Sequence, residues 1–214
     1  MTSPFVTALI FDLDNTLIHS HIDFRALRHH LIDDLYAHAI STQSRDALMA
    51  LSLPELVDLA RSTDRALAEQ MWATIGAAEV EGVRGADAVE GAVQVLGGLR
   101  VRGYKLALLT NNTREGVEER LAALDLVSHF DLIVTRTEGT ALKPSPEGIH
   151  YILQRLPNIE AAYLIGDAYI DGRAAAAAGI RFIGFGDKAT EIIARGISPW
   201  AWITDLRELL ELAL

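Results

Sequence analysis

The stretch Phe11-Asp12-Leu13-Asp14-Asn15-Thr16-Leu17 decides the fold of this chain. It follows an apolar run over residues 6–11, which contains one threonine and is typical of a buried parallel strand. Two aspartates separated by one residue then stand at the predicted carboxyl end of that strand, where ligands bind in open α/β sheets. Two neighbouring carboxylates repel, and burying them is costly unless a cation or a ligand compensates. The pair therefore predicts a metal site or a catalytic site.

Strand-like and helical patterns alternate along most of the chain. The predicted strands cover residues 6–11, 105–110, 132–135, 162–165, 182–185 and 201–203. The predicted helices of this part cover residues 88–102, 115–124, 146–156, 170–178, 189–195 and 206–212. The alternation predicts an α/β fold, a Rossmann-like parallel sheet with helices on both faces.

One long segment interrupts this alternation. Phe24, Leu27, Leu31 and Leu35 recur at helical spacing, and further leucines continue the pattern beyond Pro54, a residue suited to the first turn of a helix. No strand is predicted over residues 18–84. We therefore predict two domains: an α/β core of residues 1–17 and 87–214, and a small helical domain of residues 18–86.

The composition excludes several classes of protein. The 214 residues carry a net charge of −10, which disfavours binding to nucleic acid or to an anionic membrane surface. No run of apolar residues is long enough to span a bilayer, and no basic segment precedes the first apolar run as in a secretory signal. The chain has no cysteine, which excludes disulfides and thiolate metal sites. We expect a cytoplasmic protein, monomeric or homodimeric, with a small molecule as its partner.

Four polar elements follow the predicted strands. They are Asp12-x-Asp14-x-Thr16, Thr110-Asn111-Asn112, Lys143-Pro144 and the stretch from Gly166-Asp167 to Asp171-Gly172. Each stands directly after a strand or in the loop that follows one. Because the carboxyl ends of parallel strands share one edge of the sheet, all four elements are expected to lie together.

The residue types in these elements suit phosphate chemistry with a metal. Hard oxygen ligands without sulfur or imidazole suit Mg²⁺, and the candidates are Asp12, Asp14, Asp167 and Asp171. Lys143 offers a mobile positive charge for a phosphate or a carboxylate. Thr110 and Asn111 offer neutral hydrogen-bond donors for a phosphoryl oxygen. A carboxylate can also act as a nucleophile and form an acyl phosphate.

Taken together, the four elements resemble the signature motifs of the haloacid dehalogenase-like (HAD) superfamily, in the same order and across nearly the whole chain. Ser145-Pro146 and the lead Gly103-Tyr104-Lys105 into the second motif resemble its phosphoglycolate phosphatase-like branch. This resemblance implies a HAD-like core with a helical cap inserted after the first motif. The 32 residues between Thr110 and Lys143 are too few for the larger cap of other branches.

The resemblance also implies catalytic roles. Asp12 would be the nucleophile that attacks phosphorus. Asp14 would be the general acid for the leaving alkoxide and then the base for the hydrolytic water. Lys143 would neutralise both the nucleophile and the phosphate.

Further roles concern the phosphate and the metal. Thr110 and Asn111 would hold the phosphoryl group. Mg²⁺ would bind the carboxylates of Asp12 and Asp167 and the backbone carbonyl of Asp14. Asp171 would be a further ligand or would contact the metal indirectly, through another ligand. Asn15 stands where many members of the family have glycine, and asparagine tolerates unusual backbone angles.

The implied enzyme is a hydrolase, a Mg²⁺-dependent phosphatase that acts on a small phosphorylated metabolite through an aspartyl-phosphate intermediate. A phosphomutase of the same superfamily remains an alternative, as does a catalytically idle binding protein. A haloacid dehalogenase lacks the second aspartate, so Asp14 counts against that activity. A phosphonatase needs a cap lysine, but the lysines of this chain are Lys105, Lys143 and Lys188. The identity of the substrate stays open.

Overall fold

The computed structural model describes residues 6–214. Contacts between residues divide the chain into two compact units. One unit comprises Met1–Ser20 with Ala86–Leu214, and the other comprises His21–Gly85. The proposed domain limits at residues 17 and 86 lie close to these divisions and remain a prediction.

Eight strands are present in the described residues. In chain order they are β1 (Val6–Phe11), β2 (Ile18–His19), β3 (Asp87–Ala88), β4 (Lys105–Leu109), β5 (Leu132–Val134), β6 (Ile159–Gly166), β7 (Arg181–Phe185) and β8 (Ala201–Ile203). Six of them form one sheet in the order β5-β4-β1-β6-β7-β8, and every neighbouring pair is parallel. The predicted parallel sheet is confirmed, with all six predicted strands in it.

Nine α-helices lie within residues 6–214. They are α1 (Phe24–Ala37), α2 (Arg45–Met49), α3 (Leu53–Arg61), α4 (Arg65–Arg84), α5 (Ala92–Val101), α6 (Arg114–Ala123), α7 (Glu147–Arg155), α8 (Tyr169–Ala178) and α9 (Ala189–Ala194). Short 3₁₀ helices cover Val127–His129, Arg136–Glu138 and Leu206–Leu210. The helix predicted at residues 206–212 is therefore a five-residue 3₁₀ helix, in which the side chain of Asp205 caps the first turn.

The central strand β1 shows why the sheet is covered on both faces. Ala8, Leu9, Ile10 and Phe11 are all fully buried. Because successive side chains point to opposite faces, Ala8 and Ile10 join one core and their neighbours join another. Ala8 and Ile10 pack in a cluster with residues of α7 and α8. The continuous apolar run is thus that of a strand buried on both sides, as the sequence predicts.

A short antiparallel ribbon departs from the sequence prediction. Ile18 of β2 pairs with Ala88 of β3, and His19 pairs with Asp87. We predicted no strand over residues 18–84, which was wrong for Ile18–His19. Two residues are too few to show an alternating pattern of apolar and polar residues. The sequence therefore gives no local signal for this ribbon.

The helical unit, His21–Gly85, consists of α1 to α4. Leu27, Leu31 and Leu35 are buried in its core, which confirms the helical spacing of α1. Pro54 lies in the first turn of α3, where its missing N–H has no partner to lose. Within residues 6–214 we find no helix with the length and apolar character needed to cross a bilayer.

Gly184→Ala is expected to destabilise the α/β unit by about 1–3 kcal/mol, because overpacking forces well-packed groups to move. Gly184 lies opposite Trp202 in the β7–β8 pair. A Cβ at this position would lie 2.2 Å from two carbons of the indole ring. The ring is also anchored, since Trp202 Nε1 donates to the carbonyl of Gly186 at 2.8 Å. Urea denaturation measures the loss.

The matched control is Gly97→Ala in α5. A Cβ there would meet only His129 Cε1, at an ordinary 3.6 Å, and alanine favours helix over glycine. We expect this variant to be at least as stable as the original protein. Equal stability of both variants would contradict the close packing of Trp202 on Gly184.

Candidate active site

The candidate site lies where three adjacent strands end. Asp12 follows β1, Thr110 follows β4 and Asp167 follows β6, and β1 is the central strand of the three. The sheet hydrogen bonding continues one residue further, because the N–H of Asp12 donates to the carbonyl of Ile165 at 2.9 Å. The N–H of Thr110 likewise donates to Val134 at 3.0 Å. The predicted elements thus share the carboxyl edge of the sheet.

This edge is unusually rich in buried polar groups. The buried polar side chains of the predicted elements are those of Asp12, Asp14, Thr16, Thr110, Asn112, Lys143, Asp167 and Asp171. Four of these eight residues are aspartates and one is a lysine. An isolated charge in such a place costs much free energy, so these groups must compensate one another or bind something that does.

Lys143 supplies the positive charge at the centre of the group. Its Nζ donates to Asp12 Oδ1 at 2.5 Å and to Asp171 Oδ1 at 2.7 Å. Burial alone would lower the pKa of Lys143, but the negative charges of Asp12 and Asp171 raise it above the usual value. The ammonium therefore stays charged and joins two carboxylates that would otherwise repel.

Asp171 is held from two sides. One carboxylate oxygen accepts from Lys143, and the other accepts from the backbone N–H of Ala168 at 3.1 Å, at the start of α8. Gly166 leaves room for this carboxylate, since a Cβ there would lie 2.5 Å from Asp171 Cγ. Burial raises the pKa of Asp171 to about 7, opposed by the charge of Lys143 and aided by those of Asp12 and Asp167.

Asp167 forms an ion pair that the sequence analysis did not foresee. Its Oδ2 accepts from the Nζ of Lys188, which stands in the loop between β7 and α9. Burial raises the pKa of Asp167 above its usual value, and the charge of Lys188 opposes that change. Asp12 and Asp171 are therefore paired with Lys143, and Asp167 is paired with Lys188.

Three of the aspartates are arranged as a metal site would require. Asp12, Asp167 and Asp171 each offer a carboxylate oxygen, and these atoms lie within 4.8 Å of one another. The donors are hard oxygens, and burial raises the pKa of Asp167 and of Asp171, so a cation would stabilise their charged forms. The residues thus fit a divalent cation such as Mg²⁺. The role of the Asp14 carbonyl stays a prediction.

The two neighbouring asparagines have different roles in the structure. Asn111 binds the backbone of Lys143 at both ends: its Nδ2 donates to the carbonyl and its Oδ1 accepts from the N–H, both at 2.9 Å. Its side chain therefore holds the lysine loop, and phosphate binding by Asn111 stays a prediction that these contacts do not support. Asn112 instead turns inward, where its Nδ2 donates to Asp14 Oδ2 at 2.9 Å.

The loop after β1 brings Asp14 into the same site. Asn15 has a left-handed backbone, with φ 57°, and its N–H donates to the carbonyl of Ile18 at 2.7 Å. The N–H groups of Leu17 and Ile18 both donate to the carbonyl of Leu13. Asparagine adopts left-handed backbone angles more readily than most residues that have a Cβ, so it suits this position.

Comparison with known proteins agrees with this geometry. The model of the haloacid dehalogenase-like hydrolase family matches residues 9–185. The chain belongs to this family. A phosphoglycolate phosphatase of Cupriavidus necator is 30% identical over 183 residues, which cover 81% of this chain and 78% of the relative. The pyrophosphatase PpaX of Bacillus pumilus is 28% identical over 188 residues, with 86% and 85% covered.

Solved structures show the same haloacid dehalogenase-like fold. A hydrolase from Pseudomonas syringae superposes with a TM-score of 0.70 and is 24% identical, with 96% of each chain covered. The hydrolase YfnB of Bacillus subtilis, solved bound to magnesium, gives a TM-score of 0.61 at 19% identity, with 98% of each chain covered. The predicted fold and family are thereby confirmed, and the chain is a hydrolase by family.

The geometry adds two residues to the site of this haloacid dehalogenase-like hydrolase. Lys188 follows the strand β7, so the criterion that selected the other elements, a polar residue just beyond a strand, would also have found it. Asn112 stands within the second motif but carries no signal that separates it from Asn111. Only the direction of each side chain distinguishes them, and that depends on the tertiary fold.

Proposed function

We propose that this hydrolase is a Mg²⁺-dependent phosphatase that cleaves small phosphomonoesters through an aspartyl-phosphate intermediate. The observation that carries the proposal is the buried cluster in which Lys143 joins Asp12 and Asp171, close to Asp167. Such a cluster can receive a dianionic phosphate only if cations offset the carboxylates. The phosphatase and pyrophosphatase names of the relatives from Cupriavidus necator and Bacillus pumilus support the same chemistry.

The proposed reaction has two steps. In the first, a carboxylate oxygen of Asp12 attacks phosphorus, the bond from phosphorus to the ester oxygen breaks, and Asp14 gives its proton to the leaving alkoxide. In the second, Asp14 takes a proton from water, whose oxygen attacks phosphorus. The bond from phosphorus to Asp12 then breaks and inorganic phosphate leaves. Thr110 would hold the phosphoryl group, and Lys143 offsets negative charge throughout.

Mg²⁺ would be held by the carboxylates of Asp12 and Asp167 and by the backbone carbonyl of Asp14. Asp171 would be a further ligand or would contact the metal indirectly, through another ligand. When bound it supplies positive charge against the phosphoryl oxygens. The magnesium bound in YfnB supports this choice of metal, as does the all-oxygen donor set of this chain.

The proposal is tested by a screen of phosphate esters with Mg²⁺, in which released phosphate is measured. The panel includes phosphoglycolate, inorganic pyrophosphate, sugar phosphates and an aryl phosphate, and the Asp12→Asn protein is the blank. We expect Mg²⁺-dependent release from at least one monoester, abolished by EDTA. Transfer of the phosphoryl group to a second sugar hydroxyl would indicate a mutase instead. Absence of turnover across the whole panel would reject the proposed function.

Lys188→Met is expected to strengthen Mg²⁺ binding about 3–30-fold, because a positive charge close to the metal ligand Asp167 is removed while the side-chain volume is kept. Isothermal titration of the substrate-free protein with MgCl₂ measures the dissociation constant without any reaction. Lys105→Met is the matched control. Lys105 also pairs with an aspartate, Asp131, but it is the first residue of β4, whereas the candidate site lies beyond the last residue of that strand. An unchanged or weaker affinity in Lys188→Met would contradict competition between the ammonium and the metal.

A further inference from the structure

We propose that Asn112 is a positioning residue for Asp14, whose carboxyl group it holds in one orientation through a side-chain hydrogen bond. This inference rests on the proposed function, in which Asp14 is the acid and base. It concerns a contact between buried groups, since Asn112 and Asp14 are only 3% and 8% exposed. The contact joins the loops after two neighbouring strands, β4 and β1.

Two hydrogen bonds hold the backbone of Asn112 in place. Its N–H donates to Thr110 Oγ1 at 3.1 Å. Its carbonyl accepts from the N–H of Arg136 at 2.9 Å, in the loop after β5. Asn112 is therefore attached on both sides to the edge of the sheet, and its side chain has little freedom to follow Asp14 if that carboxylate moves.

The hydrogen bond between the two side chains has a defined donor and a defined acceptor. The Nδ2 of Asn112 can only donate, so Asp14 Oδ2 must be the acceptor at 2.9 Å. This hydrogen bond fixes the direction in which the carboxyl group of Asp14 faces. Both proposed proton transfers, to the leaving alkoxide and from the water, would then meet the carboxyl group in the same orientation.

The neighbouring residue cannot take over this role. Both polar ends of the Asn111 side chain bind the backbone of Lys143. Asn111 therefore holds the loop of Lys143, whereas Asn112 holds the carboxyl group of Asp14. A change at Asn112 should consequently affect proton transfer and leave the nucleophile Asp12 in place.

The test compares leaving groups that differ in their need for a proton. An alkoxide leaves poorly unless it is protonated, whereas p-nitrophenolate leaves without help. In Asn112→Ser and Asn112→Leu we expect kcat/KM to fall about 10–100-fold with an alkyl phosphate and less than about 3-fold with p-nitrophenyl phosphate. The serine variant keeps a polar group and the leucine variant keeps the volume, so the comparison survives if one of them folds poorly. Thermal unfolding followed by circular dichroism identifies a folding defect.

A double-mutant cycle separates positioning from general damage. In an Asp14→Ala protein, Asn112→Ser should cause no further loss with the alkyl phosphate, because the group that it positions is gone. Equal losses with both substrates, or independent losses in the double variant, would overturn the inference. A wild-type protein without turnover on either substrate would instead reject the proposed function, so the two failures can be told apart.

Discussion

Asp12→Asn is expected to reduce turnover of any substrate found in the screen by at least about 10⁴-fold, the scale seen when an enzyme loses its nucleophile. An amide nitrogen or oxygen does not form a stable acyl phosphate. The variant also loses one of the three carboxylates that lie within 4.8 Å of one another, so Mg²⁺ affinity should fall. Phosphate release measures the first effect, and calorimetric titration with MgCl₂ measures the second.

The matched control is Asp131→Asn, the same substitution in another aspartate that pairs with a lysine. Asp131 accepts from Lys105 Nζ at 2.8 Å and from the N–H of Leu106 at 2.9 Å, near the start of β4. We expect it to keep both turnover and Mg²⁺ binding. Turnover of the Asp12→Asn protein at the wild-type rate would contradict the nucleophile. A loss of the same size in Asp131→Asn would show that the effect is not specific to the site.

Lys143→Met should lower the free energy of unfolding by about 3–5 kcal/mol without metal, because removing one partner leaves buried charges uncompensated. Here two carboxylates, Asp12 and Asp171, lose the same ammonium. Turnover should also be lost, since the proposed nucleophile Asp12 would then lack the ammonium group that offsets its charge. Urea denaturation in EDTA measures the stability, and repeating it with MgCl₂ should show a larger stabilisation of the variant than of the wild type.

The instability of Lys143→Met should also depend on pH. Burial already raises the pKa of Asp171 to about 7, and loss of Lys143 removes the charge that opposes this rise. The folded variant therefore binds more protons than the unfolded chain near neutral pH, so its stability should increase as pH falls from 8 to 6. Lys105→Met, which breaks an ion pair nearer the surface, should change stability by less than about 1 kcal/mol. Equal effects of the two substitutions would contradict the central role of Lys143.

Much of the fold can be predicted from the sequence because parallel strands buried on both faces leave long apolar runs. The inner strands β1, β4, β6 and β7 carry that signal, whereas the edge strands β5 and β8 have only three residues each and are mostly half-buried. The leucine spacing of α1 identifies the helical insert. The ribbon of Ile18–His19 with Asp87–Ala88 carries no such signal. Its two strands are separated by more than sixty residues, and its pairing depends on where the rest of the chain brings them.

The candidate site could be predicted only as far as its residue types. Motif order brought Asp12, Lys143 and Asp167 to one edge of the sheet, because strand ends in a parallel sheet share an edge. The direction of each side chain was beyond reach of that reasoning. Asn111 and Asn112 are the same residue type in succession, yet one binds the backbone of Lys143 and the other binds Asp14.

The ribbon of β2 and β3 has a consequence for how this protein can change. It holds the two points at which the chain leaves and re-enters the α/β unit side by side, through the pairs Ile18–Ala88 and His19–Asp87. The register of the six-stranded sheet is set elsewhere, by pairs that involve no residue of His21–Gly85. Changes of length within His21–Gly85 should therefore leave the strand register intact, because the residue pairs of the ribbon and of the sheet all lie outside that segment.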